Sequence, residues 1–243
     1  MVDIHCHILP DIDDGASGMD EALEMAKMAY RSGVTDVIAT PHFAGTEENL
    51  LQMERINRRY EQIVQALKDR GIPLKIHRGA EILCLPQTPK LAKERKLPTL
   101  AGTDYVLVEF YFDESFEYMD ASLEQISNCG YRVVVAHPER YEAIQDRPYL
   151  LDRWVHRGYV IQLNKGSVLG KFGERASRAA DAVLSMGFAH LFASDAHSCY
   201  QRTPHMEGIR QWAEKACTER CAHILLEDNP KRLLNGQKMV EML

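Results

Sequence analysis

The chain has 243 residues, of which 45% are hydrophobic and 26% charged, and a formal net charge of −6 at pH 7. A single α/β domain of this length is ordinary, so we expect one domain over residues 1–243. The acidic charge without lysine or arginine runs argues against nucleic-acid binding, and the lack of about 18 consecutive apolar residues argues against membrane insertion. No signal peptide is visible, so we expect a cytoplasmic protein whose six cysteines are reduced and mostly in the core.

Short apolar runs alternate with helical segments along the chain, as in parallel βα units. Seven strands are predicted, at residues 2–6, 34–39, 74–80, 105–109, 132–136, 159–163 and 190–193. The helix after the first strand ends at Gly33 and carries one apolar stripe, formed by Met19, Leu23, Ala26 and Tyr30. Further helices are predicted at residues 47–70, 122–128, 148–156, 175–186 and 205–217.

Seven parallel strands with helices outside them predict a seven-stranded, TIM-like (β/α) barrel, closed or nearly closed, with an open doubly wound sheet as the alternative. The polar residues favour the barrel because histidines and carboxylates lie at or just after the C-terminal ends of the strands. These residues are His5, His7, His42, Glu81, Glu109, His137, Asp195 and His197. In a parallel barrel all those ends face one mouth, so we expect the eight side chains to converge there.

Imidazole and carboxylate ligands without thiolate suit manganese, iron or zinc at a hydrolytic centre. Alternate residues of a strand share a face, so His5 and His7 can approach one metal while Cys6 faces away. Asp14 is our candidate among the three aspartates of the first loop. With it, the ligands are numerous enough for a cluster of three divalent ions.

Three divalent cations would outweigh the four carboxylates of this set and leave a positive site that suits a phosphate dianion. Closely spaced metals also lower the pKa of bound water, so phosphoester hydrolysis is the predicted reaction class. Arg140 follows His137 by three residues, and Arg202 follows His197 by five. Both are candidates for binding phosphate, because a guanidinium can hold two phosphate oxygens at once.

The motifs "MVDIHCHILPDIDDG", "IATPHF", "GAEI", "VLVEF", "VVVAHPERY" and "LFASDAH", in this order, resemble those of the polymerase and histidinol phosphatase (PHP) superfamily. The resemblance spans residues 1 to about 206 and is specific to its bacterial manganese-dependent protein-tyrosine phosphatases, the CpsB and YwqE type. It implies a distorted βα barrel, three metals and dephosphorylation of phosphotyrosine. The implied partner is a bacterial tyrosine kinase that controls capsule or exopolysaccharide synthesis.

The resemblance also implies a distribution of the ligands among the ions. The first ion would be held by His5, His7, Glu81 and Asp195, the second by Glu81, Glu109 and His137, and the third by Asp14, His42 and His197. The phosphate-binding arginines of the family match Arg140 and Arg202. Two departures are Cys6, where a serine is usual, and Tyr111, where a proline is frequent. Cys6 should face away from the metals and matter little, whereas Tyr111 puts fine specificity rather than chemistry in question.

The mechanistic hypothesis is in-line attack of a metal-bound hydroxide on phosphotyrosine, without a phosphoenzyme. A thiol-based phosphatase is excluded because no cysteine is followed by arginine in a Cys-x5-Arg pattern. One alternative is a small-molecule phosphatase of the same superfamily, such as a histidinol phosphate phosphatase. A second alternative is a noncatalytic metal-binding or docking module.

Overall fold

The computed structural model describes residues 1–241, apart from the side chains of residues 47–51. Nine strands occur in residues 1–241, and all pair in parallel. They are β1 (Val2–Cys6), β2 (Asp36–Ala39), β3 (His42–Phe43), β4 (Lys75–Arg78), β5 (Glu81–Leu83), β6 (Tyr105–Glu109), β7 (Arg132–Ala136), β8 (Val160–Asn164) and β9 (Leu191–Ala193).

Helices follow most of the strands and cover their outer faces. They are α1 (Met19–Arg31), α2 (Glu47–Asp69), α3 (Thr88–Lys93), α4 (Phe116–Asn128), α5 (Glu142–Asp146), α6 (Leu151–His156), α7 (Lys165–Val168), α8 (Glu174–Ser185), α9 (Glu207–Ala216), α10 (Glu219–His223) and α11 (Asn229–Leu234). A π-helical turn, Ile224–Asp228, joins the last two. Within residues 1–241, no helix combines the length and the apolar character that a membrane span requires.

The strands form two parallel sheets rather than the single seven-stranded barrel predicted from the sequence. One sheet has the order β1-β2-β4 and the other β3-β5-β6-β7-β8-β9. The predicted strand at residues 74–80 ends early, and the chain then enters the larger sheet as β5. A single bridge between Cys6 and Ala196 connects β1 to the segment after β9. The sequential order is that of a barrel, but strand pairing does not close it in the part of the chain that the structure describes.

The close approach at Gly79 explains why the predicted strand is interrupted between β4 and β5. A Cβ atom there would lie 2.7 Å from Ile38 and 2.9 Å from Leu100, so the chain passes between them only without a side chain. The predicted stop of α1 at Gly33 is confirmed, with a φ of +88°. The predicted apolar stripe is wrong at Tyr30, which is 43% exposed, because the buried face of α1 passes through Ala22 and Ala29 instead.

The interior between the strands is filled by a small apolar cluster below the polar ends. Its members include Ile4, Leu107, Val134, Val160 and Leu191, with Leu233 of α11 packed among them. On β6 and β8 the next alternate positions toward the C-terminal end are polar, namely Glu109 and Gln162. The polar residues therefore continue the inner face of the apolar cluster.

Candidate metal centre

The histidines predicted at the strand ends lie together in the structure. The Nε2 atoms of His5 and His7 are 3.3 Å apart, which the strand alternation predicts. The ring centroid of His7 is 3.9 Å from that of His197 and 4.5 Å from that of His42. Four imidazoles from three separate parts of the chain thus face one small volume.

The register of β1 against β2 shifts between Asp3 and Cys6, close to the pair formed by His5 and His7. Ile4 belongs to the inner apolar cluster, and His5 contacts Gln162 on the inner face of β8. Two successive residues of this strand, Ile4 and His5, therefore reach the same interior where the register shift interrupts the alternation. This local feature was not predicted from the sequence.

Glu81 is the carboxylate at the centre of this group. Its Oε1 lies 3.1 Å from His5 Nε2 and 2.9 Å from His137 Nε2. Its Oε2 lies 3.2 Å from both His7 Nε2 and His42 Nδ1. One buried side chain is therefore within contact distance of four imidazoles, which is the position a bridging carboxylate would need.

Asp195 completes the cluster from the end of β9 and connects it to the two predicted arginines. Its Oδ1 is 3.4 Å from His5 Nε2, while its Oδ2 is 2.5 Å from Arg202 Nη2 and 3.6 Å from Arg140 Nη1. Asp195 and His137 both adopt positive φ angles, of 49° and 33°. Such strained backbone in residues other than glycine concentrates at functional sites.

The donor atoms fall into overlapping groups whose members all lie within 4.8 Å of one another. These groups are His7, Asp14, His42 and His197; His5, His7 and Glu81; His5, His137 and Asp195; and His42, Glu81 and Glu109. Two buried polar atoms of these residues, Asp195 Oδ1 and His137 Nδ1, have no hydrogen-bond partner among the described residues. All the donors are nitrogen or oxygen, so the set fits divalent ions of the manganese, iron and zinc type.

The first loop contributes two aspartates with different contacts. Asp14, the predicted ligand, is exposed and lies 3.3 Å from His42 Nε2 and 3.4 Å from His197 Nε2. Asp13 instead accepts a hydrogen bond at 2.8 Å from His7 Nδ1 and another at 3.1 Å from the backbone N–H of His42. Asp14 therefore lies beside the cluster. Asp13 instead orients the His7 ring through Nδ1, as the hydrogen-bond partner of a metal ligand would.

The ionisation of the side chains reflects this crowding. Burial alone would lower the pKa of His7, but hydrogen bonds to Asp13 and Glu81 raise that pKa to about 9. Burial likewise opposes the charge on His42, and contacts with Asp14 and Glu109 raise its pKa to about 11. Hydrogen bonds from His197 and His42 hold the pKa of Asp14 well below its ordinary value. Ions bound here would therefore have to displace protons.

Two amide side chains on β8 were not predicted as functional residues. Gln162 Oε1 accepts a hydrogen bond at 3.0 Å from His5 Nδ1, and both residues are fully buried. Asn164 Nδ2 donates to Asp195 Oδ2, and Asn164 Oδ1 accepts from the backbone N–H of Gly166. The sequence signal for these two residues is the alternation of polar side chains in "VIQLN", which is too short to indicate a function.

Aromatic rings hold the side chain of Arg140. Its guanidinium carbon lies 4.3 Å from the ring centroid of Phe112 and 4.6 Å from that of Phe172. Phe172 in turn sits against Gly166, where a Cβ atom would be 2.4 Å from the ring. The two rings restrict Arg140 and leave its planar face stacked, which is an arrangement that lysine could not reproduce.

A family described as "Capsular polysaccharide synthesis, CpsB/CapC" matches residues 1–235. The chain belongs to the CpsB/CapC family. It is 34% identical over 238 residues to the tyrosine-protein phosphatase YwqE of Bacillus subtilis, with 98% of this chain and 92% of that protein covered. The predicted family resemblance is therefore confirmed.

Solved structures similar to this CpsB/CapC chain agree with its sequence relationship. One, from work on YwqE of Bacillus subtilis and CpsB of Streptococcus pneumoniae described as "unique metal-dependent tyrosine phosphatases", has a TM-score of 0.89 and 32% identity and covers 100% of this chain and 97% of that one. Histidinol phosphate phosphatase of Lactococcus lactis, solved with zinc, L-histidinol and phosphate, has a TM-score of 0.54 at 14% identity, over 88% and 93% of the two chains. The latter similarity establishes the fold alone.

Proposed function

We propose that this chain is a metal-dependent protein-tyrosine phosphatase with a centre of three divalent ions in one domain, a distorted barrel of the PHP type. The observation that carries the proposal is the convergence of nine nitrogen- and oxygen-donor side chains next to two arginines that contact Asp195. The ions would be held by His5, His7, Asp14, His42, Glu81, Glu109, His137, Asp195 and His197. Manganese is our first candidate, with iron and zinc as alternatives.

Divalent ions bound at this centre would polarise the phosphate and make water a nucleophile near neutral pH. Arg140 and Arg202 would bind the phosphate oxygens, because their contacts with Asp195 hold both guanidinium groups beside the donor cluster. Phe112 and Phe172 keep the Arg140 guanidinium in place, so little conformational entropy would be lost when the phosphate binds.

The cysteine beside the histidine pair offers no accessible thiol nucleophile, which agrees with hydrolysis without a cysteinyl phosphoenzyme. The nearest thiol in sequence to the histidine pair, Cys6, is fully buried and its Sγ lies 3.9 Å from the carbonyl oxygen of Ala196. Burial raises the pKa of this thiol well above its usual value, so it would be an unreactive group.

The proposed substrate is a phosphotyrosine protein, and a tyrosine kinase that controls capsule or exopolysaccharide synthesis is the proposed partner. The family description, capsular polysaccharide synthesis, and the tyrosine phosphatase YwqE support this choice. The cytoplasmic location expected from the sequence stays a prediction.

The test compares hydrolysis of a phosphotyrosine peptide with that of histidinol phosphate, after chelation and after manganese is restored. We expect manganese-dependent release of phosphate from the peptide, with histidinol phosphate a poor substrate. His137→Ala should abolish this activity, whereas His223→Ala, which changes an exposed histidine that pairs with Asp228, should not. Preference for histidinol phosphate would contradict the substrate, and a trapped covalent phosphoenzyme would contradict the mechanism.

A further inference from the structure

A cavity of about 360 Å³ lies beside the proposed active site, among the segments that follow β8 and β9. Its lining combines four basic side chains with apolar walls, and includes Lys165, Lys171, Arg202, His205, Leu169 and Phe172. The volume is many times the roughly 30 Å³ that one water occupies in the liquid. It is therefore large enough for an amino-acid side chain together with water.

Two side chains connect this cavity to the proposed phosphate site. Arg202 lines the cavity and also contacts Asp195 Oδ2 at 2.5 Å. Phe172 lines it as well, and its ring stacks with Arg140 at 4.6 Å. A peptide whose phosphotyrosine is held by the two arginines would therefore place a neighbouring residue near the cavity.

The charges of the cavity favour an anion. Lys171 is exposed and has no ion-pair partner among the side chains that the structure describes. Lys165 is more than nine-tenths buried, and its ammonium donates to the carbonyl oxygens of Thr203 and His205, which leaves it without a carboxylate in direct contact in the described chain. None of the residues that line the cavity is acidic.

Arg202 provides a second, independent indication of a missing partner. Its Nε atom is buried and has no hydrogen-bond acceptor in the described part of the chain. A buried N–H group without an acceptor is costly, and proteins seldom retain one unless water or a ligand satisfies it. The nearby carboxylates are engaged elsewhere, Asp195 with Nη2 of Arg202 and Glu207 at 3.7 Å from His205 Nε2.

We propose that this cavity is a subsite for an acidic side chain next to the phosphotyrosine of the substrate, with Lys171 as its specificity-determining residue. The proposal rests on the proposed phosphatase function and extends it to the sequence around the phosphotyrosine. The apolar walls suit the methylene groups of a glutamate, and the cations suit its carboxylate. Interactions of this kind at a partly exposed site change affinity by about fivefold.

The experiment uses pairs of phosphotyrosine peptides. The two peptides of a pair differ only in having glutamate or glutamine at one of the two positions that flank the phosphotyrosine. We expect kcat/KM to be about fivefold higher for the glutamate peptide at one of these positions, mainly through KM, and the difference to shrink with added salt. Lys171→Glu should remove or invert that ratio, and Lys171→Arg should keep it. Lys68→Glu, with the same charge change in the last turn of α2, is the matched control and should also keep it.

Binding of the same peptides with a nonhydrolysable phosphonate in place of the phosphate separates the two proposals. If the wild-type protein binds the glutamate peptide preferentially and Lys171→Glu does not, the subsite exists even if no peptide is hydrolysed. If hydrolysis occurs but the ratio of glutamate to glutamine peptide is the same in wild type and Lys171→Glu, the subsite is rejected and the phosphatase function stands.

Discussion

Gln162 Oε1 and His5 Nδ1 are joined by a 3.0 Å hydrogen bond in the fully buried interior. Because an amide oxygen only accepts, His5 must carry its proton on Nδ1 there, and Nε2 is left as the atom that faces Glu81 and Asp195. β8 contributes no predicted ligand, yet its Gln162 determines which nitrogen of His5, on β1, faces the cluster.

Replacement of Gln162 by leucine should weaken manganese binding by about 10–100-fold, because His5 loses the partner that fixes its ring and tautomer. Titration calorimetry of the metal-free protein would measure the change. Gln125→Leu, on the exposed face of α4, is the control and should leave the affinity unaltered. An unchanged dissociation constant in Gln162→Leu would show that the contact has no role in presenting His5.

Replacement of Gly166 by alanine should lower kcat/KM for a phosphotyrosine peptide by about tenfold. The new Cβ atom would lie 2.4 Å from the Phe172 ring, so the ring must move and Arg140 loses one of its two stacking partners. Because Phe172→Leu removes the ring, adding Gly166→Ala to it should cost little more. Equal effects of Gly166→Ala in both backgrounds would refute the role of the ring.

His190 should make the metal-free protein less stable as the pH falls. Burial lowers the pKa of His190 from its ordinary 6.5 to about 4, and its Nδ1 accepts the backbone N–H of Ile161 at 3.1 Å. As the pH falls, this histidine therefore takes up a proton near pH 6.5 in the unfolded chain but only near pH 4 in the folded chain. The free energy of unfolding decreases as the pH falls through that range. Between pH 7.5 and pH 5 the loss due to this residue is about 2 kcal/mol.

Urea denaturation in the presence of chelator would measure this dependence. His190→Asn retains an acceptor for Ile161 without the titration, so the free energy of unfolding should fall about 2 kcal/mol less than in wild type over the same pH range. His156→Asn changes an exposed histidine and should reproduce the wild-type slope. Parallel curves for wild type and His190→Asn would mean that the imidazole is protonated without penalty.

Asp120 should contribute to the stability of the fold through its contacts with Trp154 and Arg157. Its Oδ1 accepts from Trp154 Nε1 at 3.1 Å and from Arg157 Nη1 at 2.9 Å, and the indole is fully buried. Asp120→Ala leaves that indole N–H unsatisfied and should reduce the free energy of unfolding by about 2 kcal/mol. Asp152→Ala, at an exposed ion pair, should change it by less than about 0.5 kcal/mol.

The sequence predicted which side chains lie together because the residues that carry them end apolar strands. Glu109 and Asp195 follow runs that are buried on both faces, and such runs identify parallel strands whose ends share a mouth. Residues far apart in sequence could therefore be assigned to one place. The predicted strand at residues 190–193 shows this most clearly, since β9 lies within it and Asp195 follows two residues after its end.

Other features had no sequence signal for physical reasons. The two-residue strand that contains His42 is too short for any periodicity, and it exists only because β5 pairs with it. Asp13 and Asp14 are adjacent and chemically identical, so only the path of the loop distinguishes the partner of His7 from the residue beside His42. Gln162 is a neutral amide whose role depends entirely on which strand lies opposite.

The single bridge between Cys6 and Ala196 also has a consequence for folding during synthesis on the ribosome. Cys6 and Ala196 are 190 positions apart, so the first histidines leave the ribosome long before their partners exist. At about 5–20 residues per second, they wait roughly 10–40 s. A nascent chain therefore carries only part of the proposed centre until Asp195 and His197 have been synthesised.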